Sequence, residues 1–311
     1  MRTLIVVSFL LCFVTITNAQ VTDTIYVQSE GVKIHSVLTK PGSKINTPLA
    51  IIIAGSGPTD LNGNQARVQN NSLRYLSEAL VKNNIATVRF DKRGIAKSTI
   101  PGLKEADLTF EQYADDVVSL IKYFRDMGFK KIYIVGHSEG SLVGMVALQK
   151  TKAKGFISVA GMGNSPDSVL KKQLAPKLPP ELYTQSVTII DSLKKGSRVK
   201  NFPLQLVSLF RPSVQPYMIS WFKYDPAELI GKLDCPVMIL QGDKDIQVDL
   251  EEAKILKSAS PKGEMVVIKN MNHIFKIIQG DMQENMASYT NPDLPVSQDL
   301  VSSIAGFINR K

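Results

Sequence analysis

In Gly136-His137-Ser138-Glu139-Gly140 a serine stands midway between two glycines. The pentapeptide directly follows the apolar run Ile132 to Val135 and precedes Ser141 to Lys150, in which Gly144 and Ala147 give a helix a tightly packable face. A strand that turns into a helix at such a serine lifts the hydroxyl above the strand ends, and the glycines tolerate the close backbone approach. The helix N-terminus adds partial positive charge where an oxyanion would form. The chemistry this suits is acyl transfer. A plain glycine-rich packing turn explains the pentapeptide but not its strand-turn-helix setting.

A serine hydroxyl is a poor nucleophile until a base takes its proton, and the chain holds three histidines. His137 adjoins Ser138, and the turn should point the two side chains apart. His35 lies in an N-terminal hairpin upstream of the parallel strands and reads as a surface or strand histidine. His273, in Asn270-Met271-Asn272-His273 just past the last expected strand, is placed for a loop to carry it over Ser138, which makes it the candidate base. A base of this kind needs a carboxylate to fix its tautomer. Gln241-Gly242-Asp243-Lys244-Asp245 puts two at the end of the strand Val237 to Leu240. One should orient His273 and the other should serve as a turn residue bonding its own backbone; the residues alone leave the choice open. The order Ser, Asp, His along the chain is satisfied. For an oxyanion, the amide of Glu139 is one candidate donor, and Ala54-Gly55-Ser56-Gly57-Pro58-Thr59-Asp60 supplies the other, assigned to Ser56 with Gly57 as the fallback.

These residues need a scaffold. Alternating runs at Thr24 to Val27 and Val32 to Leu38 flank Ser29-Glu30-Gly31 as an antiparallel hairpin. Short, almost wholly apolar runs follow at Leu49 to Ala54, Ala86 to Phe90, Ile132 to Val135, Phe156 to Ala160, Val237 to Leu240 and Met265 to Ile268, the pattern of strands covered on both faces. Helical spacing at Leu73, Leu76 and Leu80, and at Phe110, Tyr113, Val117, Leu120 and Phe124 behind a Thr109/Gln112 capping box, falls between them. The alternation predicts a mostly parallel α/β sheet with helices on both faces. Between Gly161 and Lys232 no strand is evident; Leu170 to Leu178, Leu182 to Leu193 and Phe202 to Phe222 read as apolar, proline-punctuated helical stretches. The domain expectation is therefore a core of residues 20–163 and 233–311 with a helical cap insertion at 164–232. Phe202, Phe210, Trp221 and Phe222 read as cap core before pocket wall.

The 311 residues, 44% hydrophobic, can bury a substantial core. Arg2, the apolar run Leu4 to Val14 and Thr17-Asn18-Ala19 predict a signal peptide over 1–19, export after cleavage near Ala19, and a periplasmic or extracellular location. Beyond the signal, which contains Cys12, the one cysteine is Cys235, expected to be a small buried residue at a strand start. The net charge is +9 with lysines scattered rather than in runs. That excludes a dedicated nucleic-acid surface and leaves weak attraction to anionic surfaces. No stretch after the signal predicts stable membrane insertion, and oligomeric state is unreadable.

With these residues in place, the sequence resembles the α/β-hydrolase fold superfamily, and within it serine esterases carrying a GSGPxDxxGN oxyanion loop and a GHSEG nucleophile elbow. Gly55 to Asn64, Phe90 to Ser98, Gly136 to Gly140, Gly242 to Val248 and Asn272-His273 carry the resemblance across essentially the whole mature chain. It implies that the acid is Asp245 rather than Asp243. It also favours a structural salt bridge for Asp91 and Arg93. Many relatives have Arg where Leu61 stands and Gly where Ala96 stands. The implied activity is carboxylic-ester hydrolysis on a small acyl ester, without metal or organic cofactor. Rival readings are a peptidase or amidase on the same residues and an inactive hydrolase-like binding protein.

Overall fold

The structure, a computed structural model, describes residues 20–43 and 45–310; the expected signal peptide, with Cys12, lies outside them. Eight strands, β1 (Val21–Ser29), β2 (Val32–Lys40), β3 (Leu49–Ile53), β4 (Ala86–Phe90), β5 (Ile132–His137), β6 (Gly155–Val159), β7 (Val237–Gly242) and β8 (Glu264–Ile268), form one sheet in the order β1-β2-β4-β3-β5-β6-β7-β8. β1 and β2 are an antiparallel hairpin, and β2 lies antiparallel to β4. Every pairing from β4 onward is parallel. The mostly parallel sheet read from the sequence is thus present, and most strands run one to three residues past the apolar runs. The extra residues at the hairpin ends, Asp23 and Gln28 among them, are polar but still pair in the ladder, because backbone pairing does not require an apolar side chain.

The sheet is covered on both sides. Ile51 and Ile53 face a cluster with Phe110, Val117, Leu120 and Phe124 of α2 (Phe110–Asp126) and Leu142 and Val146 of α3 (Glu139–Lys150). Ala50 and Ile52 face Leu73, Leu76 and Leu80 of α1 (Ser72–Lys82) and Ile304 of the C-terminal helix Gln298–Asn309. Gln112 Oε1 accepts from the Thr109 N–H at 3.0 Å, closing the start of α2.

Between β6 and β7 the chain makes five helices: α4 (Pro166–Leu174), α5 (Pro180–Lys194), α6 (Val207–Phe210), α7 (Gln215–Trp221) and α8 (Pro226–Gly231). Their own apolar cluster contains Leu174, Ile190, Leu193, Phe210 and Phe222. The stretch Phe202 to Phe222 is not one helix. Arg211 is extended at ψ 145°, as a residue before proline prefers, so α6 stops before Pro212 and α7 restarts with Pro216 in its first turn, where the missing N–H costs nothing. The layer is tied to the sheet at both ends. Glu252 of the following helix α9 (Leu250–Ala259) accepts from the Gly163 and Asn164 amides at 2.9 and 2.8 Å, and Tyr217, Trp221 and Tyr224 ring Phe110 with centroids 5.4–6.5 Å away. Cys235 differs from expectation. It is half-buried, because the chain reaches full burial only at Val237, where β7 begins.

The turn from β5 to α3 depends on missing side chains. A Cβ on Gly136 would lie 2.5 Å from the Gly140 carbonyl oxygen, and one on Gly140 would lie 2.5 Å from the Ile53 oxygen and 2.6 Å from the Ala54 oxygen. Neither glycine has positive φ; the left-handed residue is Ser138, at φ 55° and ψ −121°. Gly140→Ala is accordingly expected to force α3 off β3 and cost about 1–3 kcal/mol as an overpacked contact, read as a fall of several degrees in Tm relative to an exposed control such as Gly306→Ala, where an added Cβ meets nothing within 4 Å.

Candidate active site

Four loops at the carboxyl ends of β3, β5, β7 and β8 meet at one place, as ligand sites in parallel sheets do. Ser138 caps β5, its N–H donating to the Val159 carbonyl of β6 at 2.9 Å. The residue is nearly buried, 9% exposed, and its Cβ would be 3.2 Å from a Cβ on Gly55. The loop after β3 therefore lies directly against it.

The loop after β8 brings His273 to the same cavity, which measures about 250 Å³ and is lined by Ser56, Ser138, Gln247, His273 and Tyr289 among others. Asn272 fixes this loop. Its Oδ1 accepts from the Ile274 and Lys276 amides at 3.2 and 2.9 Å, and its Nδ2 donates to Asn285 and Ser288 at 3.0 and 2.8 Å. Asp245 sits on His273 with Oδ2 2.8 Å from Nδ1. Gln241 Nε2 donates to the same oxygen at 3.0 Å, and the Gln247 and Val248 amides donate to the other at 2.8 and 3.0 Å. Burial pushes the Asp245 carboxyl up, but His273 and the two amides outweigh it and hold the group below the ordinary range. A carboxylate so held takes the Nδ1 proton of His273 as a hydrogen bond and leaves Nε2 as the free lone pair.

Asp243 points elsewhere. Its Oδ1 accepts from the Asn270 amide at 2.5 Å, so it ties the β7 and β8 loops together rather than closing its own turn. His137 is buried beside the elbow with Nε2 donating to the His273 carbonyl at 2.9 Å. His35 is on β2 but is not at the surface: it is 5% exposed, with Nδ1 2.7 Å from Asp91 Oδ2. Asp91 and Arg93 do not pair with each other. Arg93 is bound to buried Asp116 at 2.5 Å, and Asp91 takes His35 on one oxygen and the Leu61 amide, at 2.9 Å, on the other. The turn after β4 faces the hairpin on one side and the β3 loop on the other, so each charge finds its partner across an element boundary.

Lys92, absent from the sequence reading, is a further part of the site. It is 4% exposed, its Nζ donates to the Gly55 carbonyl at 2.7 Å, and Glu139 Oε1 lies 3.5 Å away. Burial lowers its pKa, with Glu139 pulling the other way. The only sequence signal is its place at the carboxyl end of the strand beside β3. Among the described residues no group of three or more His, Cys, Asp and Glu is placed to hold a metal ion, and no helix is long and apolar enough to cross a membrane.

Residues 69–276 match the family described as Serine aminopeptidase, S33. The chain belongs to this family. It is 23% identical over 261 residues to Esterase EstD of Thermotoga maritima, covering 81% of this chain but 60% of that protein's length. Est1E of Butyrivibrio proteoclasticus, in a structure with ferulic acid bound, superposes with a TM-score of 0.61 at 19% identity, over 92% of this chain and all of that one. An esterase structure from Pyrococcus furiosus gives 0.60 at 16% identity, over 93% and 90% of the two chains. The architecture is the α/β-hydrolase fold.

Burial takes the His137 imidazole down to about 3, with His273 adding to the effect. As pH falls through the ordinary value of about 6.5 the unfolded chain binds this proton and the folded one refuses it, so stability is lost from there down to about pH 3. His137→Gln keeps a donor for the His273 carbonyl and removes the titration. Its Tm is expected to fall less steeply than the wild type's between pH 6.5 and 4; parallel curves would contradict this.

Proposed function

We propose that the protein is a serine hydrolase of carboxylic esters acting through an acyl-enzyme. Ser138 attacks the acyl carbon as His273 Nε2 takes its proton, Asp245 orients and charges-balances the imidazolium, and the same imidazolium then protonates the departing alkoxide. Water repeats the sequence on the acyl-serine. The amides of Ser56 and Glu139 receive the oxyanion. The observation that carries the reading is the 2.8 Å contact from Asp245 to a His273 that shares a cavity with a serine at φ 55°.

Lys92 extends this reading as a positioning residue. The Gly55–Ser56 peptide is trans, so its carbonyl and N–H point opposite ways. By holding the Gly55 oxygen, Lys92 turns the Ser56 N–H away from itself, and it also contacts the side chain of Glu139, whose amide is the second donor. One buried ammonium thus touches both segments that supply the proposed donors.

Removal of residues 1–19 before Gln20, with the helices between β6 and β7 acting as a cap, completes the proposal; N-terminal sequencing of protein recovered from outside the cytoplasm is expected to begin at Gln20. A second reading, amide hydrolysis, is favoured by the family's description as an aminopeptidase. Turnover of aminoacyl anilides above that of acyl esters would select it.

Ser138→Ala is expected to lower p-nitrophenyl acetate hydrolysis by at least about 10³-fold and abolish labelling by a fluorophosphonate, given how triads respond to loss of one member. Unchanged turnover would refute the assignment. Lys92→Met alone strands the Glu139 carboxylate, so the informative variant is Lys92→Met/Glu139→Gln. It is expected to lose about 10-fold or more in kcat, less than the about 10²–10³ of a deleted donor, with KM nearly constant and Tm retained.

A further inference from the structure

Ser138 borders two separate cavities, and the catalytic reading above tells which part of an ester each can take. The larger, about 250 Å³, contains His273; the smaller, about 40 Å³, contains Ser56, Ser138 and Glu139 but not His273. The imidazolium must reach the leaving oxygen to protonate it, so the alcohol half of the substrate belongs on the His273 side. The acyl substituent is then left with the smaller space.

From this division we propose that the substrate class is short-chain acyl esters of polyhydroxylated alcohols, such as acetylated sugars. The proposal rests on the assignment of Ser138 and His273 under the proposed function. A space of about 40 Å³ holds about three or four waters, at roughly 10–15 Å³ each. That fits acyl substituents from the methyl of an acetyl group to the propyl of a butyryl group. Val169, Leu170 and Gln173 of α4 and Trp221 of α7 close it, together with Met162, Val248 and Gln247, which borders both cavities. Trp221 is held in place by Phe110 and Phe222, with ring centroids 6.5 and 5.7 Å away. Chain length is therefore limited by packed groups of the helical layer.

The alcohol side has a different chemistry. Thr59, Gln65, Asn70, Ser72, Gln247 and Tyr289 put hydroxyl and amide groups around it. They are pre-arranged by contacts among themselves: Gln65 Nε2 donates to Thr59 Oγ1 at 2.9 Å, the Ser72 amide donates to Asn70 Oδ1 at 3.0 Å, and Gln247 Nε2 donates to the Tyr289 hydroxyl at 3.2 Å. Polar groups of this density around a cavity of this size suit an alcohol with several hydroxyls, which can use the donors and acceptors their mutual bonds leave over; an alkyl chain offers those nothing.

The test uses the purified protein in two arms. On p-nitrophenyl acetate, propionate, butyrate, hexanoate and octanoate, which share one leaving group, kcat/KM is expected to peak between two and four carbons and fall at least about 10-fold by six, since methylenes that misfit a closed pocket cost about 10-fold or more. Leu170→Ala, a half-buried position chosen to spare folding, is expected to move the optimum to longer chains. Monoacetylated methyl glucoside is expected to be turned over at least about 10-fold better than octyl acetate, because only the sugar can bond the polar groups around the cavity. Tyr289→Phe is expected to lower turnover of the sugar ester more than that of p-nitrophenyl acetate. A protein that hydrolyses these esters but prefers octanoate, or octyl acetate, overturns the division of the cavities and leaves the catalytic reading standing. One that hydrolyses none and resists fluorophosphonate overturns both.

Discussion

The close approach of the first turn of α3 to the end of β3 is the constraint on which the site depends. Backbone oxygens of Ile53 and Ala54 occupy the space where a side chain on Gly140 would begin, and Gly136 meets Gly140 and Ser141 in the same way. Because the helix is seated that deeply, the residue joining it to β5 has no ordinary backbone conformation available, and Ser138 takes positive φ. Strain of this kind persists only where the surroundings over-determine it. Here the surroundings are the two glycines, the Ser138 amide bond to β6 and the β3 loop pressed against the serine.

Around that point the structure places a set of buried polar pairs: Asp245 with His273, Lys92 with Glu139, His35 with Asp91, and Arg93 with Asp116. Buried pairs are poor sources of net stability, since desolvation offsets their attraction. Their common feature is position. Asp91 also receives the Leu61 amide of the β3 loop, and Lys92 the Gly55 carbonyl at that loop's start. The turn after β4 thus grips the β3 loop at two points six residues apart and is itself gripped by the hairpin through His35 and by α2 through Arg93. Hydrogen bonds have direction and apolar contacts do not, so a loop proposed to aim one amide at a fixed spot is better held by the former.

How much of this could be read from the chain follows from the same distinction. Strands covered on both faces announce themselves as apolar runs, so the order of β3 to β8 was legible. So was the elbow, because Gly136 and Gly140 are required by contacts within a few residues and β3. The convergence of Ser138, Asp245 and His273 could be anticipated from each lying just past a strand end. The choice between Asp243 and Asp245 could not be made from composition, since both follow β7 and differ only in which way a short turn directs them; it came from the resemblance. Lys92 left no mark, because a lysine after a strand usually faces water and only the folded neighbour supplies the carbonyl it binds. The pairings of His35, Asp91, Arg93 and Asp116 were illegible for a related reason: each partner lies 23 or more residues away on another element. The break in Phe202 to Phe222 was legible in Pro212 and Pro216, which punctuate its apolar spacing.

The site is therefore built from two kinds of material with different freedom to change. The groups proposed to meet the acyl carbon hang from strand ends whose register is locked by seven strand pairings and whose loops are locked by buried polar pairs. Five of the eleven groups that bound the smaller cavity come from helices with an apolar core of their own, joined to the sheet through Glu252 at one end and the ring packing on Phe110 at the other. A substitution at Leu170 or Val169 alters that space without passing through any hydrogen bond that orients Ser138, His273 or the β3 loop. Because the constraints on chemistry and on shape run through separate contacts, chain-length preference can drift in this architecture while the geometry of attack stays fixed.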